Sequence, residues 1–370
     1  MLMAQFIMLL LQDSEMYIKY LCLFLIALSL SSCVNREESE RCYKHLSGVE
    51  VGIPEDASFF RLVYASDSLI IAHSFSNKNK LTAYCLSDDG CTEENFLMVG
   101  KGPLEVLDAF AKYKSDSLYV MSFTPMGVSA FITIPLKNYC DVSAWKVQEA
   151  EQRMLAGADF APTGNGEYVI VGGEYDTETV LTKYNSSDGL YSNVTFWPDD
   201  GFEGGNIVKQ LIYVRSSYVS VVDQKILYVA GEGKLATIID VGKQPVDIRE
   251  IYSDYPQYAP SEDGMNPRRN PKSGLGAYSF ATEEYIYLSP LLCHLNGINY
   301  EPSDYKGYPP YFTDEIDVFD WDGCYKCTYV LDQPLCNYYV NEEEQVIYAL
   351  SCDKNTLTSA VRKYELPKME

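Results

Sequence analysis

The stretch Ser66-Asp67-Ser68-Leu69-Ile70-Ile71 joins a short polar turn to an apolar, β-branched strand, and the chain repeats this pattern five more times. The other copies are 115–120 (SDSLYV), 166–170 (GEYVI), 223–229 (DQKILYV), 283–288 (EEYIYL) and 343–348 (EEQVIY), at spacings of 49 to 61 residues. Repeats of this length are typical of β-propeller blades, and β-branched and aromatic runs suit strands that are buried on both faces. The sequence predicts an all-β fold, a six-bladed β-propeller.

Turn signals between the repeats support strands rather than helices. Asp-Gly turns follow apolar segments at Ser87-Asp88-Asp89-Gly90, Ser187-Asp188-Gly189 and Asp320-Trp321-Asp322-Gly323, which predicts β-hairpins. A short helix is expected only over Ser143–Leu155. Seven blades, a β-sandwich and two β domains are the alternatives; six copies and the lack of a Pro/Gly-rich linker disfavour the last two.

The end of the chain predicts how the ring closes. The last copy supplies three strands, Asn337–Val340, Val346–Cys352 and Ser359–Glu365, and a propeller blade has four. We expect Tyr43–Val51 to add the missing outer strand, because an unpaired edge would leave the ring with a weak seam.

Composition excludes two classes of protein. Hydrophobic residues make up 47% of the 370 residues, which excludes a disordered chain. The formal net charge is −23, from 29 basic and 52 acidic residues, and such a surface repels phosphates. We therefore expect no nucleic-acid partner.

The N-terminus has the features of a secretion signal. Lys19 precedes the apolar run Tyr20–Leu30, which is too short to span a bilayer comfortably. Leu30-Ser31-Ser32-Cys33 resembles the lipobox of bacterial lipoproteins, a resemblance that implies cleavage before Cys33 and acylation of that residue. The sequence thus predicts a membrane partner through an N-terminal lipid.

These features divide the chain into three parts. Residues 1–32 are predicted to be the signal peptide, with translation starting at Met16, and residues 33–42 a lipidated acidic tether. Residues 43–370 form the propeller domain. The acidic run 36–40 resembles the surface-export signal of some Gram-negative lipoproteins, although charge runs near termini are usually only solvated. We expect an outer-membrane lipoprotein of the cell envelope, on its periplasmic or, slightly favoured, its surface face.

Two segments resemble TolB-like six-bladed propeller lipoproteins of gut-type Gram-negative bacteria. They are Gly100-Lys101-Gly102-Pro103-Leu104-Glu105, and Ile316–Gly323 followed by Tyr348-Ala349-Leu350. Leu104, where the family often has Gly, and Cys324 and Cys327 depart from the pattern. The resemblance implies the fold and the envelope location, and it carries no catalytic residues across because the family is largely uncharacterised.

No catalytic or metal-binding constellation stands out, and we expect no cofactor and no metal. The three histidines, His45, His73 and His294, do not form a ligand pair, and His73 is expected to be packed or solvated. Gly100–Pro103 lacks the helix start of a phosphate loop, so a turn between blades is the better interpretation.

Nine cysteines remain after Cys22 and Cys33, so at least one thiol should be free. Cys85 and Cys91 flank a hairpin turn and are candidates for a disulfide. Cys324 and Cys327 are three residues apart on an expected strand, which points them to opposite faces.

Two long insertions carry the candidate ligand-binding residues. Residues 253–281 and 289–314 are rich in Tyr, Pro and Gly, and Tyr joins a flat apolar face to a hydroxyl. Packing of the loops on their own aromatic side chains is the alternative interpretation. The candidates are Tyr255, Tyr258, Arg268, Arg269, Tyr300, Tyr305, Tyr308 and Tyr311.

The sequence favours a non-enzymatic binding or interaction module of unknown ligand, with an envelope protein or a glycan as partner. The alternative is a propeller lyase, lactonase or glycan hydrolase that uses carboxylates at the central channel, with Glu105, Asp159 and Glu174 available. A structural partner of a transporter would instead show a large exposed apolar patch.

Overall fold

The computed structural model describes residues 41–54, 57–76, 78–102, 104–125, 127–150, 157–164, 166–174, 177–189, 191–195, 197–201, 205–262, 264–270, 276–291, 313–352 and 359–368. The chain divides into two compact units, Met1–Cys42 and Tyr43–Glu370. Only Arg41 and Cys42 of the first unit are described, so the predicted signal peptide and the lipidation site Cys33 lie outside the described residues.

The second unit is built almost entirely of strands. Two short strands, β1 (Tyr43–Leu46) and β2 (Val49–Glu50), come first. Four sheets follow, each made of four antiparallel strands that pair in chain order. The first and second sheets comprise β3 (Phe59–Ala65), β4 (Leu69–Ser74), β5 (Asn79–Ser87), β6 (Gly90–Met98), β7 (Asp108–Lys114), β8 (Ser117–Thr124), β9 (Gly127–Pro135) and β10 (Lys146–Glu149). The third and fourth comprise β11 (Asp159–Gly164), β12 (Glu167–Val171), β13 (Leu181–Asn185), β14 (Tyr191–Thr195), β15 (Tyr218–Val222), β16 (Lys225–Val229), β17 (Lys234–Asp240) and β18 (Asp247–Asp254).

The last third of the described chain forms one continuous sheet and a separate hairpin. The hairpin is β19 (Tyr258–Pro260) with β20 (Pro267–Arg269). The continuous sheet contains β21 (Ala277–Ala281), β22 (Tyr285–Pro290), β23 (Thr313–Asp320), β24 (Tyr325–Asn341), β25 (Val346–Cys352) and β26 (Ser359–Glu365). Most of the first half of β24 pairs with β23 and its second half pairs with β25, so this long strand closes a fifth sheet and opens a sixth.

Burial explains why the repeated segments form the second strand of each sheet. The runs Ile70–His73, Tyr168–Val171 and Ile226–Val229 are buried throughout, because sheets pack against both faces of these strands. The fourth strands are far more exposed, as in Lys146–Glu149, where all four residues face solvent. The apolar repeat therefore marks the interior of each sheet.

The first and last described strands of the second unit lie in the same sheet, although not in the predicted manner throughout. β2 pairs with β26 in antiparallel fashion, and Val51 donates to the carbonyl of Val361 at 2.8 Å, which is the predicted fourth strand of the last sheet. β1 was expected in the same strand but pairs in parallel with the first half of β24, from Tyr43 opposite Thr328 to Leu46 opposite Leu331. A single segment thus pairs with two sheets.

The helix prediction was wrong. Val142–Ala144 is a single 3-10 turn, and Lys146–Glu149 extends along β9 as β10, while residues 151–156 are outside the described part. The α-helix that the described residues contain, α1 (Asn206–Tyr213), lies between the third and fourth sheets and was not predicted. It has only eight residues, too few for a helix that is stable by itself, so packing of its apolar side chains against Trp197 and neighbouring strands decides the conformation.

Consecutive sheets pack face to face along their innermost strands. β3 contacts β7, β7 contacts β11, β11 contacts β15, β15 contacts β21, β21 contacts β24, and β24 contacts β3. Among the described residues, the six clusters of buried apolar side chains each join two consecutive sheets, and one of them joins the sixth sheet to the first through Tyr339, Val346 and Leu62. These contacts surround a central space.

Candidate functional site

A cavity of about 430 Å³ lies between the innermost strands of all six sheets. This volume is ordinary for a small-molecule pocket. Its walls are formed by residues of the six innermost strands and of the turns that follow three of them, namely 61–64, 111–116, 161–162, 218, 220–222, 278–283 and 337–343.

The two-residue period of a strand brings cations into this cavity. On β7, Ala109 and Ala111 are buried between sheets, so Lys112 and Lys114 lie on the opposite face and line the cavity. Nζ of Lys114 donates to the carbonyl of Pro162 at 3.0 Å and to that of Val221 at 3.4 Å. Burial lowers the pKa of Lys114. The side chain therefore connects three innermost strands.

A second set of charges, which we name the channel cluster, consists of Arg61, Lys112 and Asp159. Nζ of Lys112 lies 2.6 Å from Oδ2 of Asp159 and also donates to the carbonyl of Val219. The backbone N–H of Val219 donates to the same Oδ2 at 3.0 Å. Burial lowers the pKa of Lys112, against the opposing effect of the Asp159 charge. Two cations surround one carboxylate, which leaves one positive charge without a counterion in the cluster.

Arg61 carries that remaining charge towards the cavity. Its guanidinium lies 3.6 Å from Oδ1 of Asp159, and its Cζ is 5.4 Å from the ring centroid of Tyr218. Neither the guanidinium nor Oδ1 of Asp159 makes a hydrogen bond to any residue that the structure describes. A guanidinium has five N–H donors in a planar fork that suits carboxylates and phosphates. The side chain of Arg61 is therefore available for an oxyanion in the cavity.

His73 is buried and contacts the strand β7, which carries Lys112. Its Nε2 accepts a hydrogen bond from the backbone N–H of Ala111 at 3.0 Å, and the Phe60 ring stacks on the imidazole. Burial, followed by the charges of Arg61 and Lys80, lowers the pKa of His73 to about 3. His73 is thus neutral and packed, one of the two alternatives that the sequence left open.

Aromatic side chains form one wall of the cavity. Tyr64 packs against Tyr113 and Tyr339 with ring centroids 4.7 and 5.6 Å apart, and Phe280 packs against Tyr339 at 4.9 Å. Such rings present large apolar faces, and the tyrosines add hydroxyls at their edges. The wall can cover an apolar or planar portion of a ligand.

Carboxylates lie where three of the innermost strands end, and we name this end the cavity mouth. Asp116, Glu283, Glu342 and Glu343 line the cavity there. Burial raises the pKa of Glu342, and the charges of Glu284 and Glu283 raise it further, against a lowering hydrogen bond from Thr282. Oε1 of Glu342 is buried and has no hydrogen-bond partner among the described residues. The mouth is therefore acidic, in contrast to the channel cluster.

Of the three carboxylates that the sequence offered for channel chemistry, none lines the cavity, and Asp159 alone contacts side chains that do, those of Arg61 and Lys112. Glu105 accepts a hydrogen bond from the backbone N–H of Gly102 at 2.7 Å, inside the turn between β6 and β7. The backbone N–H of Glu105 donates to the carbonyl of Gly102 at 3.1 Å, which agrees with the predicted turn. Glu174 accepts from the Tyr191 hydroxyl in the third sheet.

The insertion residues that were predicted to bind ligand do not line the cavity where they are described. The hydroxyl of Tyr255 donates to Glu250, and that of Tyr258 donates to Oδ2 of Asp200 at 2.6 Å. Arg268 is exposed on β20, and the side chain of Arg269 is outside the described residues, as are Tyr300, Tyr305, Tyr308 and Tyr311. Ligand binding by these residues stays a prediction.

Tyr258 belongs to a separate group, which we name the tyrosine cluster. Asp200 accepts hydrogen bonds at Oδ2 from Tyr213 and Tyr258, both at 2.6 Å, and its Oδ1 lies 3.0 Å from Nζ of Lys209. Both carboxylate oxygens are thus satisfied. The cluster fastens the hairpin of β19 and β20 to α1.

Sequence reasoning missed Arg61 and Lys112. Each is a cation in a predominantly apolar strand that directly precedes a copy of the repeated turn, at Ser66 and at Ser115. This signal was available, since the first strand of a propeller sheet lines the central channel. Their contact with Asp159 could not be predicted from the sequence, because it depends on how consecutive sheets pack against each other.

The register of the first sheet argues against the predicted disulfide. Cys85 pairs with Thr92 and Cys91 with Leu86, which places the two thiols on opposite faces of the sheet. Neither Cys85 nor Cys91 is in a disulfide among the described residues, and the same holds for Cys140 and Cys324. The pairing of Cys85 with Cys91 was wrong, because the hairpin register alternates the two side chains.

The described residues contain neither a candidate metal site nor a membrane-spanning helix. No group of three or more His, Cys, Asp or Glu side chains there could hold a metal ion. No helix in the described ranges combines the length and the apolar character that crossing a bilayer requires.

Neither a protein-family model nor a curated protein matches the sequence. Among solved structures, the chain is similar to a structural genomics protein of unknown function from Bacteroides thetaiotaomicron, with 10% identity, a TM-score of 0.45 and coverage of 86% of this chain and 72% of that one. It is also similar to the WD40 repeats of RRP9, with 8% identity, a TM-score of 0.44 and coverage of 86% and 97%. An oligogalacturonate lyase in complex with manganese gives 10% identity, a TM-score of 0.39 and coverage of 82% and 75%.

Proposed function

We propose that this protein is a lipid-anchored, six-bladed β-propeller of the TolB-like lipoprotein kind that binds a small organic anion in its central cavity. The observation that carries the binding role is the guanidinium of Arg61, which adjoins a cavity of about 430 Å³ without a hydrogen bond to any described residue. A part-buried cation with unused donors is stabilised by an anion that satisfies them.

The ring of six blades is supported by contacts between the last sheet and the first. Oδ1 of Asn337 accepts from the backbone N–H of Leu62 at 2.8 Å, and Nδ2 of Asn341 donates to the carbonyl of Ala65 at 3.1 Å. If the ring is closed in this way, Asn337→Ala leaves a part-buried N–H without an acceptor and lowers the free energy of unfolding by about 1 to 2 kcal/mol. Urea unfolding of the variant tests this seam; an unchanged midpoint would count against it.

Anion binding is tested with the purified protein and a panel of small carboxylates and inorganic phosphate. Titration calorimetry should give binding that Arg61→Met weakens about tenfold or more, because a charge-assisted hydrogen bond is lost. Arg215→Met, which removes an exposed cation outside the cavity, is the matched control. Equal binding by wild-type protein and Arg61→Met would contradict the proposal.

The lipid anchor is a proposal from the sequence. Cells that express the protein should incorporate labelled palmitate into it, and Cys33→Ala should abolish this labelling and release the protein from the membrane fraction.

The long insertions provide a second proposed surface, for an envelope protein or a glycan. Alanine substitution of Tyr305 and Tyr308 together with Arg268 should weaken that contact in native envelopes.

An enzyme is the second candidate, favoured by the carboxylates of the cavity mouth. A raised carboxyl pKa, as at Glu342, is what a general acid near neutral pH requires. Glu342→Gln would then abolish turnover of a substrate while leaving its binding at Arg61. If Glu342→Gln leaves turnover unchanged, Glu342 is excluded as the general acid.

A further inference from the structure

The two ends of the central cavity differ in charge, and the difference runs along the strands. The innermost strands are parallel to one another: Lys112 contacts Asp159 and Val219, while Lys114, two residues further on, contacts Pro162 and Val221. The channel cluster therefore lies towards the start of these strands. The cavity mouth lies beyond their ends, with four carboxylates and one cation, Lys114, beside them.

We propose that the ligand is a zwitterion, a short peptide whose carboxylate binds Arg61 and whose amino group binds Glu342 and the neighbouring mouth carboxylates. This inference rests on the proposed function and specifies its ligand. A simple anion would satisfy Arg61 but would be repelled at the mouth, and a simple cation would leave the donors of Arg61 unused. A molecule with both charges matches both ends.

The distance between the two ends sets the length of the peptide. The hydrogen bond from Leu62 to Asn337 places Arg61 nearly level with Asn337, and Glu342 is five residues further along the chain. At about 3.3 Å per residue, these levels are roughly 16 Å apart, and the two side chains reach across part of that span. An extended chain covers at most about 3.3–3.6 Å per residue, which gives three or four residues.

The aromatic wall lies between the two ends. Tyr64, Tyr113 and Tyr339 line the cavity between Arg61 and Glu342, with Phe280 packed against Tyr339. Ring faces pack on peptide planes and apolar side chains, and a tyrosine face near the mouth also attracts an ammonium group. The wall thus suits the body of a peptide as well as its amino end.

The test uses four probes: tri-alanine, tetra-alanine, N-acetyl-tri-alanine and tri-alanine amide. In titration calorimetry with the full-length protein, we expect a free tri- or tetrapeptide to bind and each blocked tripeptide to bind about tenfold or more weakly. Arg61→Met should remove the difference between tri-alanine and its amide. Glu342→Gln should reduce the difference between tri-alanine and its acetylated form, because one of the mouth carboxylates is lost, and Glu262→Gln, at an exposed site, is the matched control.

Each other outcome has a defined meaning. If N-acetyl-tri-alanine binds wild-type protein as well as tri-alanine does, the zwitterion is refuted, while Arg61-dependent binding of simple carboxylates keeps the proposed anion site. If none of the peptides binds but a small carboxylate or phosphate does, the peptide assignment fails alone. If nothing binds in an Arg61-dependent way, both the inference and the proposed function fail. The blocked peptides test the idea without any variant.

Discussion

Two buried aspartates show how the same residue type can stabilise a fold or prepare a site. The side chain of Asp200 is 2% exposed, and two tyrosine hydroxyls and Lys209 satisfy both of its oxygens. The side chain of Asp159 is 1% exposed, yet its Oδ1 has no hydrogen-bond partner among the described residues and two cations share its charge. The tyrosine cluster is complete, whereas the channel cluster has an excess cation beside a cavity.

The contrast shows that the two roles, stabilising the fold and preparing a site, differ in whether hydrogen bonds and ion pairs satisfy both carboxylate oxygens. Burial is nearly the same in both. A buried ion pair stabilises a protein when additional hydrogen bonds satisfy its remaining atoms, and it costs free energy when they do not. At Asp200 these bonds come from α1 and from the insertion hairpin, so the aspartate joins two elements. At Asp159 the unused donors of Arg61 remain for another molecule.

The largest effect is expected at His73, whose pKa is lowered mainly by burial and further by the charge of Arg61. The unfolded chain binds a proton at this histidine near pH 6.5, whereas the folded protein does so only near pH 3. Between these values the unfolded state holds more protons, so the free energy of unfolding falls as the pH falls, by up to about 5 kcal/mol. His73→Gln, which keeps an acceptor for Ala111, should lose this dependence in urea unfolding at pH 7 and pH 4.

The same histidine reports on Arg61 directly. Arg61→Met should raise the pKa of His73 above about 3, since the guanidinium is the second cause of its depression after burial. NMR titration of the imidazole measures this value. An identical pKa in both proteins would mean that Arg61 is screened, and the contrast between the two clusters would lose its electrostatic basis.

Removing one cation from each cluster should give different losses of stability. Lys209→Met leaves Asp200 buried without its ion pair and should lower the free energy of unfolding by about 3 kcal/mol. Arg61→Met removes an excess cation that makes no hydrogen bond to a described residue, so a change under about 1 kcal/mol is expected. Equal losses of unfolding free energy in the two variants, measured by urea unfolding, would contradict the proposed difference between the tyrosine cluster and the channel cluster.

The smallest expected changes in the free energy of unfolding come from removing one tyrosine hydroxyl beside each aspartate cluster. Tyr258→Phe removes a hydrogen bond to Asp200 and should lower the free energy of unfolding by about 1 to 2 kcal/mol. Tyr218→Phe keeps the aromatic ring beside Arg61. This substitution should change the free energy of unfolding by less than about 0.5 kcal/mol, because the Tyr218 hydroxyl makes no hydrogen bond to a described residue. A larger loss for Tyr218→Phe would show that its hydroxyl has a structural partner.

Much of the architecture was predictable because local patterns specify it. The six repeated turns each precede a second strand, and the Asp-Gly turns join paired strands as expected. The pairing of residues 43–51 was predicted only in part, since β1 pairs with β24 and β2 with β26. The residue pattern of a short strand does not specify which of two neighbouring sheet edges it pairs with. The free edge that lies nearest in space decides the pairing.

The sequence by itself determined the strand repeats, the acidic surface charge and the turn at Gly100, because each depends on neighbouring residues or on composition. Only the tertiary structure decided that Arg61, Lys112 and Asp159 meet, that Glu342 lies at the other end of the same cavity, and that Tyr258 binds Asp200. These residues come from different sheets, and their contacts arise from the packing of innermost strands around a common space. Local pattern specifies each sheet, but the charge balance of the cavity depends on how the sheets pack against one another.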